Sequence, residues 1–86
     1  MNHRATAGFW NAYDELPPEV QKVADGAFAL VKNNPRHPSL HLKKVGRFWS
    51  ARVGAHYRVL AVEESGNLVW FWIGRHDEYD RLIGAR

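Results

Sequence analysis

The sequence of 86 residues contains no cysteine. Disulfide bonds, thiolate nucleophiles and cysteine-bound metal ions are therefore excluded, and the absence fits a reducing compartment. The chain also lacks an apolar run near the roughly 20 residues that a membrane-spanning helix needs. Its N-terminal segment has no apolar core of the secretory-signal type. We therefore expect a soluble cytoplasmic protein with no membrane partner.

Acidic residues are missing from one long part of the chain. All nine lie within Asp14–Asp25, Glu63–Glu64 and Asp77–Asp80, so none occurs from Gly26 to Val62. A one-sided basic segment favours binding to a polyanion; the alternative is a solvated surface whose acids lie nearby in space. The basic residues and histidines of this segment are Lys32, Arg36, Lys43, Lys44, Arg47, Arg52, Arg58, His37, His41 and His56.

The residues that are present suit one compact domain. Hydrophobic residues make up 45% of the chain and aromatic residues 13%, which argues for a globular core and against disorder. Two domains of half this length would be too small to bury cores of their own. We therefore treat residues 1–86 as a single domain.

Two helices are predicted in the first third of the chain. Aromatic residues recur at near-helical spacing between Gly8 and Leu16, and Pro17 ends this helix because a residue before proline avoids the α region. Pro18 suits the first turn of a second helix, which Asn33-Asn34-Pro35 ends. The apolar stripe of the second helix is formed by Val20, Val23, Ala24, Ala27, Phe28 and Val31.

Strands are predicted before and after these helices. A weak strand signal covers Asn2–Thr6, and the pattern changes from helical to extended at Leu40. Gly46-Arg47 predicts a turn. Alternating apolar and polar positions in Trp49–Val62 predict two strands with one wet face, separated by a turn or bulge at Gly54-Ala55.

The last part of the chain predicts a buried strand and a polar end. A turn signal in Glu63–Asn67 precedes Leu68–Ile73, which is continuously apolar and therefore predicted to be buried on both faces. Asp77–Arg86 is predicted to form one helical turn or a tail. The whole order predicts an α+β fold with two N-terminal helices packed on one face of a small, mainly antiparallel sheet of three or four strands. The opposite face would carry Arg52 and Arg58 and stay open to a ligand.

Several short motifs form an ordered set from about Phe9 to Leu82. They are Leu16-Pro17 before the second helix, Asn34-Pro35, His37-Pro38-Ser39-Leu40, Trp49-Ser50-Ala51-Arg52-Val53-Gly54, Tyr57-Arg58 and Trp72-Ile73-Gly74-Arg75-His76-Asp77-Glu78-Tyr79-Asp80. This set resembles the RelE/ParE superfamily of toxins from type II toxin–antitoxin systems. The whole set, rather than any one motif, carries the resemblance.

The resemblance implies a compact sheet with two N-terminal helices and a cognate antitoxin that wraps the toxin and masks its active face. RelE-like members cleave messenger RNA, commonly in the ribosomal A site. ParE-like members share the fold but poison DNA gyrase. Because one fold serves both activities, the residues of the site must decide between them.

Cleavage of RNA without a metal ion needs a base for the ribose 2′-hydroxyl, an acid for the leaving oxygen and cations around the phosphate. His76 is the leading acid–base candidate, because imidazole side chains titrate near neutral pH. The alternative is a surface histidine bonded to Asp77 or Asp80. The resemblance implies base stacking or proton transfer for Tyr79; the alternative is an aromatic lid over the sheet.

Two arginines are expected to bind the phosphate. The resemblance matches Arg58 to the strand arginine that RelE-like enzymes direct at the scissile phosphate, where a planar guanidinium can bind bidentately; the alternative is a cross-strand ion pair. Arg52 is predicted to assist on the same face. The chain departs from the best-known RelE pattern, because Ser50 and Arg52 stand where that pattern has strand lysines and His76 stands in place of an arginine. The path of the proton is therefore left open.

Further residues are expected to bind the RNA backbone around this site. Lys43 and Lys44 are neighbours on a strand, so only one can face the RNA, and we favour Lys44. His56 is either a second acid–base group or a turn residue. The candidate RNA-binding residues are Lys43, Lys44, Arg47, His56 and Arg75.

No metal ion or other cofactor is expected. His37 and His41 are four residues apart, but Pro38 argues against a helix that would bring them together. We expect a metal-independent endoribonuclease toxin that inhibits translation by cleaving messenger RNA on the ribosome. Two alternatives stay open: a ParE-like inhibitor of DNA gyrase, and a protein of little activity that binds its antitoxin and, through that complex, operator DNA.

Overall fold

A computed structural model describes residues 2–84 of the chain. They form a five-stranded sheet with two helices on one face and a short third helix on the other, so the predicted α+β fold is confirmed. In chain order, the elements are β1 (His3–Ala5), α1 (Ala7–Asp14), α2 (Pro18–Asn33), a 3₁₀ turn (Pro38–Leu40), β2 (Lys43–Val45), β3 (Phe48–Val53), β4 (Tyr57–Glu64), β5 (Asn67–Arg75) and α3 (His76–Leu82).

The sheet has the strand order β1-β5-β4-β3-β2. Strands β2 to β5 are joined by antiparallel pairs, whereas β1 lies parallel to β5, with His3 opposite Leu68 and Ala5 opposite Trp70. The sheet therefore has five strands instead of the predicted three or four. β1 is too short to show an alternating pattern, and its partner strand lies near the other end of the chain.

Both predicted N-terminal helices are present. The Thr6 side chain accepts a hydrogen bond from the Phe9 amide at 3.1 Å and caps the start of α1. Pro18 begins α2, as predicted. Val23 departs from the predicted stripe, because it lies against the turn at Gly54 and is 47% exposed. None of the helices within residues 2–84 is long and apolar enough to cross a membrane.

The predicted change to extended structure at Leu40 comes too early. Pro38–Leu40 is a 3₁₀ turn, in which Nδ1 of His37 accepts a backbone N–H at 3.2 Å. His41 then takes a left-handed conformation with a φ of 47°, and β2 begins only at Lys43. The local side-chain hydrogen bond competes with strand pairing and lets Leu40 point into the core, where it is 1% exposed.

The main core lies between the sheet and helices α1 and α2. Trp70 of β5 is 1% exposed, and its indole Nε1 donates a 3.1 Å hydrogen bond to Nδ1 of His3 on the neighbouring strand. The two rings also stack. The other buried residues of this core are Phe9, Ala24, Val31, Leu40, Ala51, Val53, Ala61, Leu68 and Ile73.

The opposite face of the sheet is partly covered by α3, which corrects the prediction of an open face. α3 contacts β4 and β5 and spans more than the predicted single turn; residues 85 and 86 of the predicted Asp77–Arg86 segment lie outside the described residues. Tyr79 of α3 is buried, and so are Ser50 and Leu60, which are paired on this face. The prediction that Leu68–Ile73 is buried on both faces is therefore confirmed only in part, because Leu68, Trp70 and Ile73 are buried whereas Val69, Phe71 and Trp72 are half-buried.

Replacement of Trp70 tests the main core. Trp70→Ala should lower the free energy of unfolding by about 3–5 kcal/mol, because it removes a buried indole and leaves a cavity. Trp10→Ala is the matched control: the Trp10 side chain is 47% exposed, so we expect a loss of about 1 kcal/mol. Urea denaturation followed by tryptophan fluorescence measures both values, and equal losses would contradict the description of the core.

The His3–Trp70 contact predicts a pH dependence of stability. Burial lowers the pKa of His3 below its usual 6.5, and the charge of Lys32 acts in the same direction. Because the unfolded chain then binds the proton more readily, the stabilisation is fully present above about pH 6.5 and is lost as the pH falls through the lower folded pKa. The difference in unfolding free energy between wild type and His3→Gln should therefore shrink on acidification. A difference independent of pH would contradict this.

Candidate active site

Residues of three strands meet on the sheet face that α3 covers. Arg52 of β3 is paired directly with Arg58 of β4, and Arg58 with Gly74 of β5. Directly paired residues project to the same face of a sheet. A side chain at Gly74 would overlap the indole of Trp72, so the glycine lets Trp72 fold along β5 next to Arg58.

Arg58 is a cation without an acidic partner. Its guanidinium carbon lies 5.4 Å from the centroid of the Tyr79 ring, a cation–π contact. Nη1 is buried and has no hydrogen-bond partner among residues 2–84. No carboxylate within that range forms a salt bridge with it, so the alternative of a cross-strand ion pair is wrong. A buried donor without a partner is costly, and such a group is expected where a ligand completes the site.

Tyr79 contacts both His76 and Arg58. Its ring centroid is 5.8 Å from that of His76, and its other contact is with the guanidinium of Arg58. The residue is only 4% exposed. Its position matches the alternative of a lid over the sheet. In this conformation the ring is not accessible for stacking on a nucleobase.

His76 is the first residue of α3, and its side chain is 47% exposed. Nδ1 lies 3.3 Å from Oδ2 of Asp80, one helical turn further on. The backbone N–H of His76 donates a 2.8 Å hydrogen bond to the carbonyl of His56, so the two histidines are neighbours. The contact with Asp80 agrees with the alternative of a surface histidine beside an acid, and it leaves nearly half of the imidazole side chain accessible.

Arg52 has a partner that Arg58 lacks. Its Nε donates a 3.0 Å hydrogen bond to the carbonyl of Gly54 in the β3–β4 turn. Arg52 also lines a groove beside α2, together with Val23 and Leu30. The structure thus gives Arg52 a local structural role beside any contribution to the site.

Strand register decides between Lys43 and Lys44. Lys43 is paired with Ser50 and lies on the face of Arg58, whereas Lys44 is paired with Trp49 on the helix side. Nζ of Lys44 lies 5.8 Å from the Trp49 ring. The preference for Lys44 on the face of Arg58 was therefore wrong. A shift of one residue exchanges the two faces, and the partner strand sets the register.

Of the remaining predicted residues, His56 and Arg75 lie at the end of the sheet that carries Arg58, whereas Arg47 lies towards the other end of β3. Arg47 follows the turn after β2, with its guanidinium carbon 5.6 Å from the Phe48 ring. His56 is exposed in the β3–β4 turn. Arg75 ends β5 and forms a 3.7 Å ion pair with Asp77, both side chains being largely exposed.

Ser50 is a residue of this face that the sequence analysis missed as a candidate. Its Oγ is buried and has no hydrogen-bond partner among residues 2–84. Alternation of the strand already placed Ser50 on the face of Arg52, but its burial depends on the packing of distant segments. Ser50 and Arg58 thus provide two unpartnered polar groups on one face.

The charge of this region is not neutralised within the described chain. Among residues 2–84, the salt bridges are those of Arg75 with Asp77 and of His76 with Asp80. The seven lysines and arginines between Gly26 and Val62 have no carboxylate partner there. No group of three histidine or acidic side chains in the described part of the chain could hold a metal ion.

Comparison with known proteins defines the class of fold. No protein-family model and no curated protein sequence matches the chain. The toxin of a RelB–RelE complex from Methanococcus jannaschii superposes with a TM-score of 0.70 at 16% identity, covering 91% of this chain and 96% of the other. A YoeB/ParE toxin from Agrobacterium tumefaciens has a TM-score of 0.68 at 18% identity, and the match covers 88% of this chain and 99% of that toxin. The isolated RelE toxin of E. coli has a TM-score of 0.63 at 11% identity, and the match covers 98% of this chain and 96% of that toxin.

The chain therefore has the fold of the RelE/ParE superfamily of toxins, and the fold that the sequence resemblance implied is confirmed. The match extends over nearly the full length of each of these structures.

Replacement of Arg58 tests whether its guanidinium is unsatisfied. Arg58→Met should raise the free energy of unfolding by about 1–2 kcal/mol, because an apolar chain of similar length replaces a buried donor without a partner. Arg52→Met is the matched control; it removes an existing hydrogen bond and should lower stability by about 1 kcal/mol. Chemical denaturation measures both. A loss of stability in Arg58→Met would mean that the guanidinium is a structural partner.

Proposed function

We propose that the chain is the toxin of a type II toxin–antitoxin module and that it cleaves messenger RNA on the ribosome without a metal ion. The observation that carries the proposal is that Tyr79 contacts both the guanidinium of Arg58, whose Nη1 has no hydrogen-bond partner among residues 2–84, and the accessible imidazole of His76. A cation for the phosphate and a titratable group for the 2′-hydroxyl are requirements of this reaction. Gyrase inhibition of the ParE type needs neither.

In the proposed reaction, Nε2 of His76 removes the proton of a ribose 2′-hydroxyl, and the oxygen attacks the adjacent phosphorus. The bond from phosphorus to the 5′ oxygen breaks, which leaves a 2′,3′-cyclic phosphate. The 5′ oxygen takes a proton from an acid, for which the neighbouring His56 is the candidate. Arg58 stabilises the charge on the phosphate oxygens, and Tyr79 is a positioning residue that holds Arg58.

The proposed partners follow from the charge of the surface and from the similar structures. Lys43 is on the face of Arg58 and suits the RNA backbone. His56 and Arg75 lie at the same end of the sheet as Arg58, and Arg47 would bind RNA further away, towards the other end of β3. The similar structure from Methanococcus jannaschii is a toxin–antitoxin complex, which supports a cognate antitoxin for this chain. Operator DNA would be bound only through that complex, and the place of action is the cytoplasm, where messenger RNA is translated.

The test compares wild type, His76→Ala and Arg58→Met after induction in cells and in a translating extract, with mapping of RNA 5′ ends. Wild type should arrest growth and create new ends within messenger RNA. Each substitution should lower cleavage by about 100-fold or more, because it removes an acid–base group or the phosphate cation. Lys22→Ala is the control, because Lys22 is exposed and lies on α2, on the other side of the sheet. This variant should cleave RNA like wild type.

Two results would contradict the proposal. One is the same set of new RNA ends with wild type and His76→Ala. The other is growth arrest by wild type without new RNA ends. In the second case, plasmid supercoiling in the arrested cells identifies gyrase as the target if it is lost, and excludes gyrase inhibition if it is retained.

A further inference from the structure

A second basic cleft lies on the helix side of the sheet, opposite Arg58. Val31 and Leu68 form part of its apolar lining, and Lys32, Arg36, Trp49 and His3 also line it. Its volume is about 760 Å³, within the range of roughly 300–1,000 Å³ that small ligands occupy. The site proposed for RNA cleavage uses none of these residues.

The indole of Trp49 is held in place at this cleft. Its Nε1 donates a 3.2 Å hydrogen bond to Oε1 of Glu63, and Lys44 on the neighbouring strand lies 5.8 Å from the ring. Trp49 is only half-buried. An oriented, partly exposed indole beside a lysine suits stacking on a nucleobase, because every base offers a π face.

The cleft also carries cations that no acid neutralises. Lys32 and Arg36 are exposed, and neither has a carboxylate partner among residues 2–84. Lys32 lies in the last turn of α2, where a cation offsets the negative end of the helix. Arg36 lies beyond the helix and has no such role. The charge of Arg36 is therefore available to an anion in the cleft.

His3 adds a hydrogen-bond donor to the same wall. Its Nδ1 accepts the Trp70 hydrogen bond at 3.1 Å, so the proton of the neutral ring is on Nε2. Burial lowers the pKa of His3, which keeps the ring neutral. Nε2–H makes no hydrogen bond within the described residues and can donate to a phosphate or ribose oxygen.

We propose that this cleft binds a nucleotide unit of single-stranded RNA, with its base stacked on Trp49 and its phosphate held by Lys32 and Arg36. The inference deepens the proposed function, since it takes RNA as the ligand. It places a second contact with the RNA on the face opposite the site of cleavage.

The test measures binding of a fluorescein-labelled decanucleotide whose 2′-hydroxyls are all methylated, so that it cannot be cleaved. Arg36→Glu should weaken binding about tenfold and reduce the slope of log affinity against log salt by about 0.7, the loss of one phosphate contact. Lys22→Glu makes the same change in net charge outside the cleft and should bind like wild type. Fluorescence anisotropy over a salt series gives both quantities.

A second pair of variants tests the stacking. Trp49→Leu should weaken binding about tenfold, whereas Trp49→Phe should bind within about threefold of wild type because it keeps an aromatic face. Circular dichroism verifies that both variants are folded, and Arg36→Glu tests the cleft independently of the core.

The proposal for the cleft and the proposal for the cleavage site can be contradicted independently of each other. The proposal for the cleft is overturned if Arg36→Glu and Lys22→Glu bind the decanucleotide with equal affinity, or if wild type does not bind it. Either result holds whatever RNA-end mapping shows. The cleft is supported even without cleavage if His76→Ala binds the oligonucleotide like wild type and the double variant His76→Ala/Arg36→Glu binds it about tenfold more weakly. If Arg36→Glu weakens binding of the antitoxin but not of the oligonucleotide, the cleft is a protein-docking surface and the proposal is wrong.

Discussion

The covering of β5 on both faces is the constraint on which the rest of the structure depends. Trp70 and Ile73 lie in the core under α1 and α2, while Trp72 folds over Gly74 on the other face. β1 and β4 pair with its two edges and satisfy its backbone. Since α3 begins directly after β5, the end of this strand sets where His76 enters the structure.

The pairing of β3 with β4 creates an electrostatic cost at the candidate site. Arg52 and Arg58 are directly paired, and like charges in that arrangement are destabilising. The hydrogen bond from Arg52 to Gly54 and the contact of Arg58 with Tyr79 give each guanidinium a separate environment. Nη1 of Arg58 is still unsatisfied within the described residues. A bound phosphate would relieve both the repulsion and the missing hydrogen bond, which is how the site can favour an anion.

The acid-free segment supplies cations to both faces of the sheet. Lys43 and Arg58 lie on one face, whereas Lys44 lies on the other, over the ring of Trp49, which lines the cleft together with Arg36. A chain of modest net charge thereby presents positive potential on two sides. At this edge the short strand β2 is the last strand of the sheet and carries a lysine on each face.

The sequence by itself determined the α+β class, the two N-terminal helices and the turns at Gly46 and Gly54, because these follow from local periodicity, prolines and glycines. It also identified His76, Tyr79 and Arg58 as candidates for one site. Tertiary structure alone decided the pairing of β1, the choice of Lys43 over Lys44, the burial of Ser50 and the closing of Tyr79 over Arg58. The physical reason is that register and burial arise from contacts between segments far apart in the chain, which no local pattern encodes.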